Sequence, residues 1–399
     1  LCTGEPSPGN VYCIPDAEYA QFWNGTLEAT GINELSDFTN QTDLRALYAQ
    51  AAVLDEKWTE LGQRCLSGPN ATTLGYVGTA ATVRDLVRLA DAVVGEDSAI
   101  DYWGLSYGTL VGAWFINMFP DRAGRVILDG VLDATRVASA QSYQLMHRHQ
   151  LGHDHPIENH LTILRATMYG SLYQPQQWAE SGNELLPQAI ATIENGTAGS
   201  AGFLTKRGTA AVYTQNSYTE AAVVCADSVD ADPSVNTTVV FDNLVDVIRT
   251  VSPSCESYTY MTLGALFPVP WQRCSYWPVR APERFQGPFN GTFAHRVLLI
   301  GNAYDNATPF KEAAHMAEVL GDRAALVKQN GFGHTSIYQS SACVSDIIKA
   351  YLHDGTLPSG TSSSATVCAV DDDVELFPGV RAVDVVAQVG PDVDLSSRD

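Results

Sequence analysis

The sequence is short of positive charge. Lys and Arg number 23 against 45 Asp and Glu, a net charge of -22. Nucleic acids and anionic membrane surfaces attract clustered cations, so neither is expected as a partner. No apolar run approaches the roughly 18 residues that would cross a bilayer as a helix. None of the 8 cysteines (Cys2, Cys13, Cys65, Cys225, Cys255, Cys274, Cys343 and Cys368) stands in a C-x-x-C pair, so zinc spacing is absent. No H-E-x-x-H frames the run His147, His149, His153, His155 and His160, which reads as a solvated segment rather than a metal site. No metal and no cofactor are expected. The opening Leu1-Cys2-Thr3-Gly4 has neither the basic nor the apolar region of a signal peptide, so the expectation is a processed form or a missing beginning. Residues 1–75 hold no Gly-Gly pair and no convincing buried strand.

What is present argues for export. N-x-[ST] sequons stand at Asn24, Asn40, Asn70, Asn195, Asn236, Asn290 and Asn306. With an even cysteine count and an acidic surface, they point to an oxidising, glycosylating compartment and a secreted protein. Asn306 is set aside as a glycan site, because Pro309 follows its sequon beside the expected crevice. Lys206-Arg207 reads as a surface pair.

The first 42 residues are punctuated by Pro and Gly and read as loop. Residues 43–65 predict one amphipathic helix, capped by Asp43, with Leu44, Leu47, Ala51, Leu54, Trp58 and Leu61 on its apolar face. A second helix is predicted over 82–94. Two buried strands follow, one ending at Leu105 and one at Arg125–Gly130. Residues 134–292 lose this texture. Helices are expected at 138–150, 157–170, 184–194, 217–228 and 239–250, with aromatic and Pro-rich connections between them. Alternation then returns: a strand at 296–301, a helix from Pro309 to Leu320 capped by Thr308, a strand at 324–329 and a helix from Ala342 to His353. The residues from 369 onward are acidic and weakly patterned, and read as a loosely held tail.

The chain is organised around Gly104-Leu105-Ser106-Tyr107-Gly108, at a strand-to-helix junction. This is the nucleophile-elbow pattern. Alone the motif is weak, since roughly one chain of this length in seven would carry it by chance. Two further residues give it weight. Asp305 stands just past the 296–301 strand, and His334 just past the 324–329 strand. The carboxyl ends of parallel strands open onto one crevice, and the chain order Ser, Asp, His is that of an α/β-hydrolase triad. A serine hydroxyl needs a base, and the base needs an orienting acid. Ser106 is therefore the expected nucleophile, His334 the base, Asp305 the acid, and the Tyr107 N–H an oxyanion donor. Asp129 and Asp133, after the second strand, are alternative acids.

With these residues the chain resembles the α/β-hydrolase serine peptidases of the prolyl/tripeptidyl aminopeptidase family, those with a TAP-like C-terminal region. The likeness is carried by Gly104–Thr109, Leu128-Asp129-Gly130-Val131, Asp305 with Thr308-Pro309, Gly333-His334, and the run from Cys343 past Tyr351, Gly355 and Pro358 to Cys368. The pattern along the chain predicts an α/β-hydrolase core at 1–135 and 293–370, an inserted, mostly helical cap at 136–292 and an acidic tail at 371–399; the likeness covers roughly 75–135 and 295–370 well and the cap only loosely. The resemblance implies cleavage of short peptides from a free N-terminus, a peptide as partner, and a disulfide between Cys343 and Cys368. Acidic cap groups hold the substrate ammonium in such enzymes, and Glu220 and Asp227 are the candidates here. One departure stands out. The family's Gly-rich oxyanion loop does not occur in this sequence, so the resemblance implies a core lacking its N-terminal part, with a missing segment of the same precursor as a further partner. An esterase or lipase on the same triad, or a catalytically impaired truncated product, are the alternative readings.

Overall fold

The computed structural model describes residues 11–27, 41–139, 173–180, 218–230, 232, 234–250, 274–360 and 364–389. Among the described residues, helices come first: α1 (Asp16–Trp23), α2 (Gln41–Ala49), α3 (Ala51–Ser67) and α4 (Thr79–Val94). Next are β1 (Ile100–Leu105), α5 (Tyr107–Met118), β2 (Ala123–Asp129) and α6 (Ala134–Ser139). The middle of the chain contributes α7 (Thr219–Asp227) and α8 (Thr237–Thr250). The end alternates again: β3 (Val297–Tyr304), α9 (Phe310–Leu320), β4 (Ala324–Phe332), α10 (Ala342–Asp354) and β5 (Thr366–Ala369). Last come β6 (Glu375–Phe377), β7 (Val380–Arg381) and α11 (Ala382–Val389).

Two compact units divide the chain. The first comprises Leu1–Ala81, Val137–Tyr169 and Asn183–Arg284. In it, the α3 stripe of Leu54, Trp58 and Leu61 is fully buried, with Trp58 packed 5.2 Å from the Tyr276 ring. Disulfides join Cys13 to Cys65 and Cys225 to Cys274. The helix expected over 43–65 is divided. At Gln50 the chain tightens, its N–H reaching back only to the Leu47 carbonyl, and α3 begins at the next residue. Asp43 accordingly lies inside the first turn of α2 rather than at its cap. The helices expected at 217–228 and 239–250 are observed as α7 and α8. Those at 157–170 and 184–194 lie outside the described residues, as does 138–150 beyond Ser139.

The second unit comprises Thr82–Arg136, Gly170–Gly182 and Phe285–Asp399. Its centre is a five-stranded sheet in the order β1-β2-β3-β4-β5, every pair parallel. Strands covered by helices on both faces read as continuous apolar runs, and β2, β3 and β4 do so: Val126-Ile127-Leu128, Val297-Leu298-Leu299-Ile300 and Ala324-Ala325-Leu326-Val327 are all buried. Ile127, Leu298, Ile300 and Val327 pack with Val344, Ile348 and Tyr351 of α10. This is the α/β-hydrolase fold. β1 forms the edge of the described sheet, with Trp103 43% and Leu105 37% exposed. Both β3 and β4 run three residues beyond their expected ends, through Asn302-Ala303-Tyr304 and Asn330-Gly331-Phe332, of which Asn302 is fully buried. α9 starts one residue after Pro309, so the proline precedes the helix instead of opening it. The residues expected to form a loose tail are folded as far as Val389. β5 joins the sheet beside β4, β6 and β7 form a hairpin, and Val370, Leu376 and Ala382 make a small core with Trp178 and Phe332.

Candidate active site

Ser106 sits between β1 and α5 with φ 54° and ψ -123°. That backbone is strained for a non-glycine residue, at about 1–3 kcal/mol, and several bonds hold it. The Ser106 N–H donates to the Asp129 carbonyl at 3.0 Å, and its own carbonyl accepts from the Thr109 N–H at 2.8 Å and the Thr109 hydroxyl at 2.6 Å. The Tyr102 hydroxyl donates to the Gly108 carbonyl at 2.6 Å, and burial pushes its pKa up to about 12. Gly104 is required by close approach: a Cβ there would collide with the Gly108 carbonyl and lie 2.7 Å from the Tyr102 ring. The Ser106 hydroxyl is not used to cap α5.

Asp305 is the first residue past β3, and it is buried. Its Oδ1 accepts from the N–H groups of Ala307 (2.7 Å) and Thr308 (2.8 Å), and its Oδ2 from the Thr308 hydroxyl (2.8 Å) and the Thr335 N–H (3.0 Å). Both oxygens lie 3.1 Å from His334 Nδ1. A carboxylate only accepts, so Nδ1 carries the proton and Nε2 presents its lone pair. Nε2 is buried and has no hydrogen-bond partner among the described residues. The His334 N–H donates to the Tyr173 carbonyl at 3.0 Å, and the Tyr173 ring meets the imidazole edge-on at 5.2 Å. The imidazole lies over Gly130: a Cβ on that residue would come within 3.4 Å of His334 Cε1. Gly130 directly follows Asp129, whose carbonyl holds the Ser106 N–H. The structure thus brings the serine turn, the imidazole and Asp305 to the carboxyl ends of β1 to β4.

Residues 267–368 match the model of the family described as TAP-like protein. Over these residues the chain is similar to the TAP-like α/β-hydrolases. The serine protease Hip1 of Mycobacterium tuberculosis is 23% identical over 343 residues, covering 74% of this chain and 63% of that protein. The tripeptidyl aminopeptidase of Streptomyces coelicolor is 22% identical over 332 residues, covering 74% and 58%. The carboxylesterase B of Mycobacterium tuberculosis is 30% identical over 194 residues, covering 47% and 34%. The chain therefore spans less than two thirds of the length of these relatives.

The two alternative acids have other partners. The Asp129 carboxylate accepts from the Ser336 N–H at 2.9 Å and the Ser336 hydroxyl at 2.6 Å. Burial pushes its pKa up to about 6, with the Asp305 charge adding to the shift while the Ser336 bonds and His334 oppose it. Asp133 is buried, caps α6 through Thr135 and Arg136, and pairs with the Arg136 guanidinium (2.8 Å) and His315 (2.9 Å). Tyr107 opens α5, where the first N–H groups of a helix point out of its end. Asp227, the last residue of α7, belongs to the first unit. Its carboxylate accepts from the N–H of Thr79 at 2.9 and 3.0 Å and from the Thr79 hydroxyl at 2.5 Å, capping α4. Burial pushes the Asp227 pKa up to about 6 against the lowering effect of those bonds. Glu220 lies on α7, and its side chain is outside the description.

Cys343 and Cys368 are bonded to each other, while Cys2 and Cys255 fall outside the described residues. Among the expected glycan sites, Asn24, Asn236 and Asn290 are exposed and Asn70 is half-buried; Asn40 and Asn195 are not among the described residues. The Asn306 amide is buried. The histidine run from His147 to His160 and Lys206-Arg207 also fall outside, and no cluster of metal-binding side chains occurs among the described residues. No described helix is long and apolar enough to cross a membrane.

Sequence reasoning missed Asn302, Gln329 and the strain at Thr335. Thr335 has φ 67° and ψ 165°, a region open almost only to glycine and costing about 1–3 kcal/mol. A signal was present: Asn302 and Gln329 are polar residues close after the apolar runs of β3 and β4, a few residues before Asp305 and His334.

Proposed function

We propose that the chain is a secreted serine hydrolase that removes short peptides from free N-termini through an acyl-enzyme. The observation that carries the catalytic part is the state of His334. Its Nδ1 lies against both oxygens of Asp305, and its buried Nε2 has no partner among the described residues. In this reading Nε2 takes the Ser106 hydroxyl proton as the oxygen attacks the substrate carbonyl carbon. Asp305 holds the ring in the right tautomer and stabilises the imidazolium. The Tyr107 N–H receives the negative charge on the tetrahedral oxygen. Nε2 then gives the proton to the leaving amine, and water releases the acyl group by the same route. Secretion is supported by the disulfides Cys13–Cys65, Cys225–Cys274 and Cys343–Cys368 and by the exposed sequons. The peptidase reading is supported by the likeness to Hip1 and to a tripeptidyl aminopeptidase.

The carboxylesterase B likeness, at 30% identity, favours a second reading, an esterase on the same triad. Parallel assays with tripeptidyl and aminoacyl nitroanilides and with p-nitrophenyl esters separate the two. The peptidase reading expects anilide cleavage that is lost when the substrate N-terminus is acetylated. Rapid ester turnover with no anilide cleavage would establish the esterase instead.

A further inference from the structure

The loop that carries His334 departs from ordinary backbone on both sides of the histidine. Gly333 has φ 87° and Thr335 φ 67°. Strained backbone persists only where its surroundings over-determine it. Here three fully buried polar side chains from three neighbouring strands reach the loop's main chain. Asn302 of β3 donates from Nδ2 to the carbonyls of Gly333 (2.9 Å) and Thr335 (2.6 Å), one on each side of His334. Asp129, the last residue of β2, accepts from the Ser336 N–H and hydroxyl. Gln329 of β4, the register partner of Asn302, donates from Nε2 to the carbonyls of Ser336 (3.4 Å) and Gln339 (3.2 Å). Ser336 is held at both its N–H and its C=O.

We propose that Asp129, Asn302 and Gln329 form a clamp that keeps the His334 loop in its strained shape and so positions the imidazole for catalysis. The proposal rests on His334 being the general base. Burying polar side chains is costly, and apolar residues would fill the same space at lower cost if stability were the only demand. These three aim their polar atoms at the main chain flanking His334 while leaving Nδ1 to Asp305. Burial raises the Asp129 pKa, and the Asp305 charge adds to that shift while His334 opposes it.

The test uses the full chain with Asn302→Ala, Asp129→Asn, and each combined with Thr335→Gly. Glycine takes the φ of Thr335 without strain, so it lowers the demand on the clamp. Hydrolysis of p-nitrophenyl acetate is measured per Ser106 site titrated with a fluorophosphonate, and hydrogen exchange is followed over 333–339 by mass spectrometry. Misplacement of a catalytic group by about 1 Å costs roughly 10²-fold. Asn302→Ala is expected to lower kcat by about that factor with KM within about twofold, and to speed exchange over 333–339. Asp129→Asn keeps one acceptor for the Ser336 N–H and is expected to lose about tenfold. Adding Thr335→Gly should recover about tenfold in kcat for the Asn302 variant. A kcat per site within about twofold of wild type in both single variants overturns the clamp, as does a combined variant with no recovery. If the wild type leaves Ser106 unlabelled, the hydrolase reading has failed, and exchange alone judges the clamp: faster exchange in the variants supports it, unchanged exchange overturns it.

Discussion

Replacing Asp305 by Asn tests the roles in the triad with the smallest change of shape. Every group on the Asp305 carboxylate is a donor: the N–H of Ala307, Thr308 and Thr335, the Thr308 hydroxyl and His334 Nδ1–H. Asn offers only one acceptor oxygen. If that oxygen keeps the Ala307 and Thr308 amides, the NH2 group faces the Thr335 N–H and His334 Nδ1. Nδ1 can then be satisfied only as an acceptor, which moves the ring proton to Nε2 and removes the base. A tautomer error of this kind costs about 10⁴-fold in kcat, or about 5.4 kcal/mol. The unpaired Thr335 N–H adds a separate folding cost of about 1–3 kcal/mol. Ester hydrolysis per folded molecule reads the first quantity and calorimetry the second. If the variant keeps more than about a tenth of the wild-type kcat, against the 10⁴-fold loss expected, the orienting acid is another group.

Gly104→Ala should destabilise the chain by about 3 kcal/mol or more, because the new Cβ meets backbone at Gly108 rather than a movable side chain; an unchanged thermal midpoint would contradict the packing described for the serine turn. Asp227 has a pKa raised to about 6 by burial, against about 4 in an unfolded chain. The native state therefore holds the proton more tightly, and the stability this gives is complete below pH about 4 and lost as pH rises through about 6. Asp227→Asn should accordingly flatten the fall of the melting midpoint across that window, and parallel curves for the two proteins would refute the assignment. Breaking the Cys343–Cys368 bond, which spans 25 residues, by Cys343→Ser should cost about 2–4 kcal/mol in denaturant unfolding; no shift would show that β5 is held without it.

The candidate site was legible as a pattern because the chemistry expected of it follows local rules. The elbow needs glycines at fixed offsets around Ser106. Asp305 and His334 each follow an apolar run, and the ends of parallel strands converge without further information. What the sequence concealed is physical in origin. The runs ending at Gly301 and Gln329 looked like complete strands, because Asn302 and Asn330-Gly331 interrupt the apolar pattern. Asn302 and Gln329 are buried because the loop carbonyls satisfy them, and that pairing spans strands and cannot be read from either alone. The hairpin of β6 and β7 and helix α11 were hidden in an acidic, turn-punctuated stretch whose apolar residues, Leu376 and Ala382 among them, find partners in Trp178 and Phe332, far away in sequence. The break at Gln50 leaves the apolar stripe of α2 and α3 nearly continuous, so periodicity alone reads one helix where two are present.

The central claim is that Ser106 is a nucleophile activated by His334. The most direct measurement is fluorophosphonate labelling of the full chain, followed by proteolysis and mass analysis of the adduct. The account predicts a single adduct on the peptide containing Ser106, absent in Ser106→Ala and strongly slowed in His334→Ala. An adduct on a different serine, or undiminished labelling of Ser106→Ala, would contradict it.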